Sequence, residues 1–198
     1  MPDEHLDHPD AQLPQLRHGL DDLARDEMEA ARPGLEGDGA LYPHAGNASV
    51  RAAVAQTTRD AFQERIAGTL PGWFGLELLR VEPGLVAARL EIAPEHLAPN
   101  GFLHAGTVVT LADSCCGLGC MASLPEDRGG FTTVELKTNF LRTATAGGLS
   151  CRATLAHGGR TTQVWDAAVE REEDGQPLAL FRCTQYLLAD PRGRQEPA

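Results

Sequence analysis

Residues 104–123 read His104-Ala-Gly-Thr-Val-Val-Thr-Leu-Ala-Asp113-Ser-Cys-Cys-Gly-Leu-Gly-Cys-Met-Ala-Ser123, and this stretch decides the fold. After His104, its only acidic or basic residue is Asp113. A helix that is apolar nearly all round has no face to give to water, so it is a buried one. Its side chains are mostly small, which means that other elements pack closely around it. Gly117 and Gly119 each cost about 1 kcal/mol of helix propensity relative to Ala. That cost points to close backbone approach at Gly117; Gly119 reads either the same way or as the frayed end of the helix.

The texture on either side is strand-like. Phe74–Val81 and Leu85–Ile92 flank Glu82-Pro83-Gly84, where Pro presets φ and Gly permits a positive one, so they read as a hairpin. Pro94–Leu103 is a loop. Phe131–Leu141 alternates, with Thr132, Val134, Leu136, Thr138 and Phe140 against Thr133, Glu135, Lys137 and Asn139. Leu149–Ala156 and Thr161–Glu170 form a second hairpin around His157–Arg160, and Leu178–Leu188 is the last strand, after an Asp174-Gly175 turn. Ahead of all of them, Ser49–Leu70 has helical periodicity, and Pro71-Gly72 is expected to end that helix. The expected fold is α+β, with an antiparallel sheet of five to six strands curled around one buried helix. One such sheet has two open edges, so pairing with a second copy is expected.

The chain has 198 residues, of which 42% are hydrophobic and 23% charged. Its formal net charge of −11 disfavours nucleic acid as a general partner. Residues 1–50 hold eleven acidic residues against three arginines, so most of the excess charge lies there. They are expected to be an acidic, partly disordered or helical extension, with one short helix over 15–31. Residues 51–190 are the folded domain and 191–198 a polar tail. No apolar run approaches the roughly 20 residues that span a bilayer, so no membrane association is expected. Met1–Asp10 is acidic and polar, unlike a secretory signal, and the expected compartment is the cytoplasm. The five cysteines are expected to be reduced core residues, with no cluster at zinc spacing.

Two places can carry chemistry. A carboxylate at Asp113 inside an apolar helix has a raised pKa, as either a base or a structural partner of a nearby hydroxyl. The turn Pro99-Asn100-Gly101-Phe102-Leu103 delivers the chain to a helix start at His104-Ala105-Gly106. There the first amides are unpaired and the dipole is positive, suited to polarising a carbonyl oxygen. Ala105 and Gly106 are small enough to let a substrate approach, although an ordinary capped helix start would look the same. Cys115 and Cys116 beside Asp113 leave a thiol nucleophile as an alternative. Trp73, Phe74 and Phe102 are candidates for either an acyl pocket or the core.

The run Asn100–Gly106 followed by Leu111-Ala112-Asp113 resembles the hotdog-fold acyl-CoA thioesterases of the phenylacetate-degradation type. The strand Phe131–Leu136 and the Gly159-Arg160 turn fall where that family has them, so the resemblance covers roughly residues 55–188. It implies a hotdog fold, a homodimer or dimer of dimers, and hydrolysis of an acyl-CoA substrate with no metal or other cofactor. Within it, Asp113 matches the helix carboxylate that serves as general base or nucleophile. Ala105 matches the residue whose N–H polarises the thioester carbonyl, and His104 the histidine that supports that turn. Thr133 matches the hydroxyl residue that positions the water. Asn100 and Gly106 fall among substrate-binding positions, and Arg160 near the contact with the CoA phosphates. The chain departs from the family at Ala105, where glycine is usual, and at Ala98, where the family often has Asn.

Ala105 and Asp113 are eight residues apart on one helix, or about 12 Å along its axis at 1.5 Å per residue. A base and its oxyanion donor must both reach one carbonyl, so the two are expected to come from different subunits across a two-fold axis. The expected step is water activated by Asp113, with direct attack by Asp113 as its alternative. A non-catalytic acyl-CoA-binding or lipid-binding module and a hotdog dehydratase or isomerase remain as other readings of the same residues.

Overall fold

In the computed structural model the described residues are 58–190. The acidic extension, the helix expected over 15–31, the first part of the helix expected from Ser49 and the polar tail lie outside them. Residues 58–66 are helical (α1), followed by the short helix α2 (Leu70–Trp73). The strands β1 (Glu77–Glu82) and β2 (Leu85–Glu91) come next, then a single 3-10 turn at Pro94–His96 and the long helix α3 (Ala105–Ala122). Four strands complete the fold: β3 (Arg128–Phe140), β4 (Gly148–Gly158), β5 (Thr162–Arg171) and β6 (Pro177–Ala189). All pairings are antiparallel, in the order β1-β2-β4-β5-β6-β3.

The curled sheet around one buried helix is the architecture expected. Helix α3 presents Val108, Leu111, Ala112, Cys115, Cys116, Leu118 and Cys120 to the core. By length and composition alone, its 18 residues would be enough to cross a membrane, which corrects the expectation of no such run. It is apolar because the sheet wraps it. Gly117 and Gly119 in its second half are there for packing. A Cβ on Gly119 would come within 2.5 Å of the Trp165 ring, and one on Gly117 within 3.0 Å of Phe131 Cζ. Gly119 is therefore a contact point inside the helix and not a frayed end. Behind Trp165, its indole N–H donates to Gln163 Oε1 at 2.8 Å, and Gln163 Nε2 donates to the Ser123 carbonyl at 3.0 Å. That pair satisfies buried polar groups and ties the end of α3 to β5.

Two local expectations fail. Pro71 does not end a helix. The chain breaks earlier, at Gly68 with φ +76°, and the Thr69 hydroxyl donates to the Ile66 carbonyl at 2.6 Å. Pro71 then sits in the first turn of α2, where its missing N–H costs no bond. The simple alternation of β3 fails too. Its register on β6 shifts between Thr133 and Glu135, which makes Val134 the extra residue of a bulge. Thr133 pairs with Gln185 and Leu136 with Cys183, residues of β6 that are buried beneath the helix. The bulge therefore turns Thr133 to the same side as Leu136, Thr138 and Phe140, while Thr132 goes out with Glu135, Lys137 and Asn139.

Candidate active site

The helix start is held by a compact set of bonds. The Asn100-Gly101 turn, with Gly101 at φ +83°, lets the Ala98 N–H donate to the Phe102 carbonyl at 2.7 Å. Asn100 Oδ1 accepts from the Phe102 N–H at 3.2 Å, so this side chain builds the turn. The Leu103 N–H donates to the Ala144 carbonyl at 2.8 Å, docking the loop on the segment after β3. His104 is the N-cap, and its Nδ1 accepts from the Gly106 N–H at 2.8 Å. The ring's remaining proton is then on Nε2. Gly106 makes this possible, since a Cβ there would lie 2.9 Å from His104 Nδ1.

A residue that the sequence did not single out anchors this turn. His96 is buried, with its ring stacked on Phe74 at 5.4 Å between centroids and its Nδ1 accepting from the Ala93 N–H at 2.9 Å. Its carbonyl accepts from both the His104 N–H and the Thr107 hydroxyl, each at 2.9 Å. Phe74 is thus part of the core, whereas Trp73 is exposed and Phe102 about half exposed. Ala105, the first residue of α3, is exposed, and its N–H has no acceptor among the described residues. The result is a rigid turn with an open, positively polarised donor at its tip.

Asp113 lies two turns further along. It is half-buried, and its Oδ1 is shielded from solvent without a hydrogen-bond partner among the described residues. Burial pushes its carboxyl above the ordinary carboxylate value. Strand β3 follows α3 and packs against it. The chain turns back between Ala122 and Arg128, and the far end of β3 leads to Ala144, beside the start of α3. Phe131 packs at Gly117. Two residues further along β3, Thr133 points to the same side of the strand as Phe131, facing the helix. Its hydroxyl donates to Gln185 Oε1 at 2.9 Å.

Arg160 is not brought to these residues within one chain. It is exposed in the β4–β5 turn, at the end of the sheet near Ser123, whereas His104–Gly106 lie at the opposite end of α3. All five cysteines are buried. A hydrogen bond to Cys183 and burial hold Cys116 well above the ordinary thiol range, and burial pushes Cys120 up to about 12. These thiols stay protonated at neutral pH, unlike an activated nucleophile. Among the described residues no group of three His, Cys, Asp or Glu side chains gathers that could hold a metal ion.

Comparison with known proteins places this geometry. Residues 100–178 match the thioesterase superfamily family model. A 1,4-dihydroxy-2-naphthoyl-CoA hydrolase of Listeria monocytogenes is 33% identical over 110 residues, 56% of this chain and 88% of that one. A proofreading thioesterase of Klebsiella pneumoniae is 27% identical over 135 residues, 67% of this chain and 96% of that one. The crystal structure of a mutant thioesterase from Pseudomonas aeruginosa superposes with a TM-score of 0.64 at 21% identity, covering 76% of this chain and all of that one, and it shares the hotdog fold. With its helix-borne carboxylate, open helix start and curled sheet, the chain belongs to the thioesterase superfamily.

Proposed function

We propose that the protein hydrolyses an acyl-CoA thioester to the free acid and CoA, at a site shared between two copies of the chain. The observation that carries this reading is the solvent-shielded, unpartnered Asp113 Oδ1 on a helix whose N-terminal amide is open. The CoA hydrolase among the relatives supports the substrate class.

In this reading the Asp113 carboxylate accepts a proton from a water molecule, and that water's oxygen bonds to the thioester carbonyl carbon. The carbonyl oxygen takes up the developing negative charge and lies against the Ala105 N–H of the other copy. The tetrahedral intermediate collapses, the C–S bond breaks, and CoA leaves as a thiolate that takes a proton from Asp113 or solvent. Both groups cannot come from one helix, because they are about 12 Å apart along it. The sheet edges favour the pairing required. Edge strand β1 is only six residues long, with Glu77, Arg80 and Glu82 along it, as protected edges are. Edge strand β3 is 13 residues long and leaves Val134, Leu136 and Phe140 exposed. A second copy joined at β3 would cover them.

The test is chromatographic detection of free CoA from short-chain, long-chain and aryl acyl-CoAs, with wild type and Asp113→Asn side by side. Release by wild type that falls at least 100-fold in the variant is expected, in line with removal of a general base worth about 10²–10⁴. Binding of the esters without release would overturn the hydrolase in favour of a binding module. An unsaturated product in place of free CoA would select the dehydratase.

A further inference from the structure

We propose that Gln185 is a positioning residue that sets the polarity of the Thr133 hydroxyl, so that Thr133 faces the reacting water as an acceptor only. The inference rests on the hydrolase reading above and deepens it. Gln185 lies on β6 and is completely buried. A buried side-chain amide in an apolar core is costly unless both of its ends are bonded. Here both ends are used. Oε1 accepts the Thr133 hydroxyl proton at 2.9 Å, and Nε2 donates to Cys183 Sγ at 3.3 Å.

The bond direction decides the chemistry. A threonine hydroxyl has one proton and two lone pairs. With the proton given to Gln185, only lone pairs remain for the site. Thr133 can then accept one hydrogen of a water while Asp113 accepts the other. Both hydrogens are thereby turned away from the thioester, and an oxygen lone pair is left toward its carbonyl carbon. A Thr133 free to rotate could donate to that lone pair instead and block attack. Gln185 does not touch the water and acts only through Thr133.

The test is a double-mutant cycle of Thr133→Val and Gln185→Met, read in kcat, KM and thermal unfolding. Met fills the volume of Gln without the acceptor. Gln185→Met is expected to lower kcat by up to about 10²-fold, the scale of a misplaced reacting group, with KM unchanged. In the Thr133→Val background it should cost no further kcat. Gln185→Asn, which keeps the amide but withdraws it by one methylene, should show the same pattern and serves if the Met variant does not fold. Equal kcat losses in both backgrounds, or none in wild type, would overturn the role of Gln185 and leave the hydrolase intact. If wild type releases no CoA from any ester, the hydrolase reading fails, and this role with it.

Discussion

Ala105 and Asp113 stand on the same helix, two turns apart, with the Ala105 N–H open at the helix start and Asp113 Oδ1 unpartnered in its middle. In the proposed reaction each supplies half of the site, and about 12 Å along the helix separates them. Ala105→Pro tests the arrangement without unfolding the helix. Pro is tolerated at the first helical position, and the preceding His104 is already extended, at φ −70° and ψ 136°. Only the donor is lost. Ala105→Pro and Asp113→Asn should each be nearly inactive, with losses of about 10²-fold or more. Mixed dimers of the two should regain activity, because one site then combines the intact Asp113 of one chain with the intact Ala105 of the other. If subunit exchange restores nothing, the two groups do not form one site across the interface.

Asp113 also links activity to pH and to stability with opposite signs. Burial raises its pKa, so between the ordinary carboxylate value and the raised one the folded chain holds more protons than the unfolded chain. Stability therefore falls as pH rises through that window and stays lower above it. Asp113→Asn, uncharged at every pH, should melt higher than wild type at pH 7, and the gap should close as pH falls below the ordinary carboxylate range. The kcat of wild type should fall on acidification at a pH above that at which a free aspartate titrates. Melting curves and pH–rate profiles of the two proteins check both statements.

Gly117 and Gly119 differ in what a methyl group would meet. Gly119→Ala drives a Cβ into the rigid, fully buried Trp165 ring. Overpacking of about 1–3 kcal/mol exceeds the roughly 1 kcal/mol gained in helix propensity. The melting temperature should fall by about 3–6 °C. Gly117→Ala meets only the edge of Phe131, a half-buried ring that need give by only a few tenths of an ångström, so it should be neutral or slightly stabilising. Differential scanning calorimetry of both variants separates them.

What could be read from the sequence followed from local pattern. Helix α3 announces itself because one charge in eighteen residues leaves it no solvent face, and both hairpins carry their turn residues on the page. The Asn100–Gly106 run and Asp113 are local too. The misses are non-local. Nothing around Val134 marks a bulge, because an extra β-branched residue looks like any other strand residue; its cause lies in the register with β6. Pro71 fits a helix stop and a helix start equally well, and Gly68 upstream decides between them. His96 anchors the turn at His104 through its backbone carbonyl, a role that leaves no trace in residue type. Gln185 is 52 residues from Thr133, and only the sheet brings them together.

The exposed apolar edge makes the last prediction. Leu136 lies near the middle of β3, on the side facing the helix, yet 43% of it is exposed. If β3 of two copies pair about a two-fold axis, Leu136→Lys places two like charges close together in an apolar seam. Every 1.4 kcal/mol or so lost there weakens association tenfold. Sedimentation velocity should show wild type as a dimer or larger, and Leu136→Lys shifted toward monomer at the same concentration. Release of CoA should fall in step with the dimer fraction, because the proposed site takes its base from one chain and its oxyanion donor from the other. The same substitution on the protected edge, Leu79→Lys on β1, should leave both quantities unchanged, since that residue is exposed beside Arg80 and far from the seam. A monomeric Leu136→Lys with full activity would show that one chain holds a complete site.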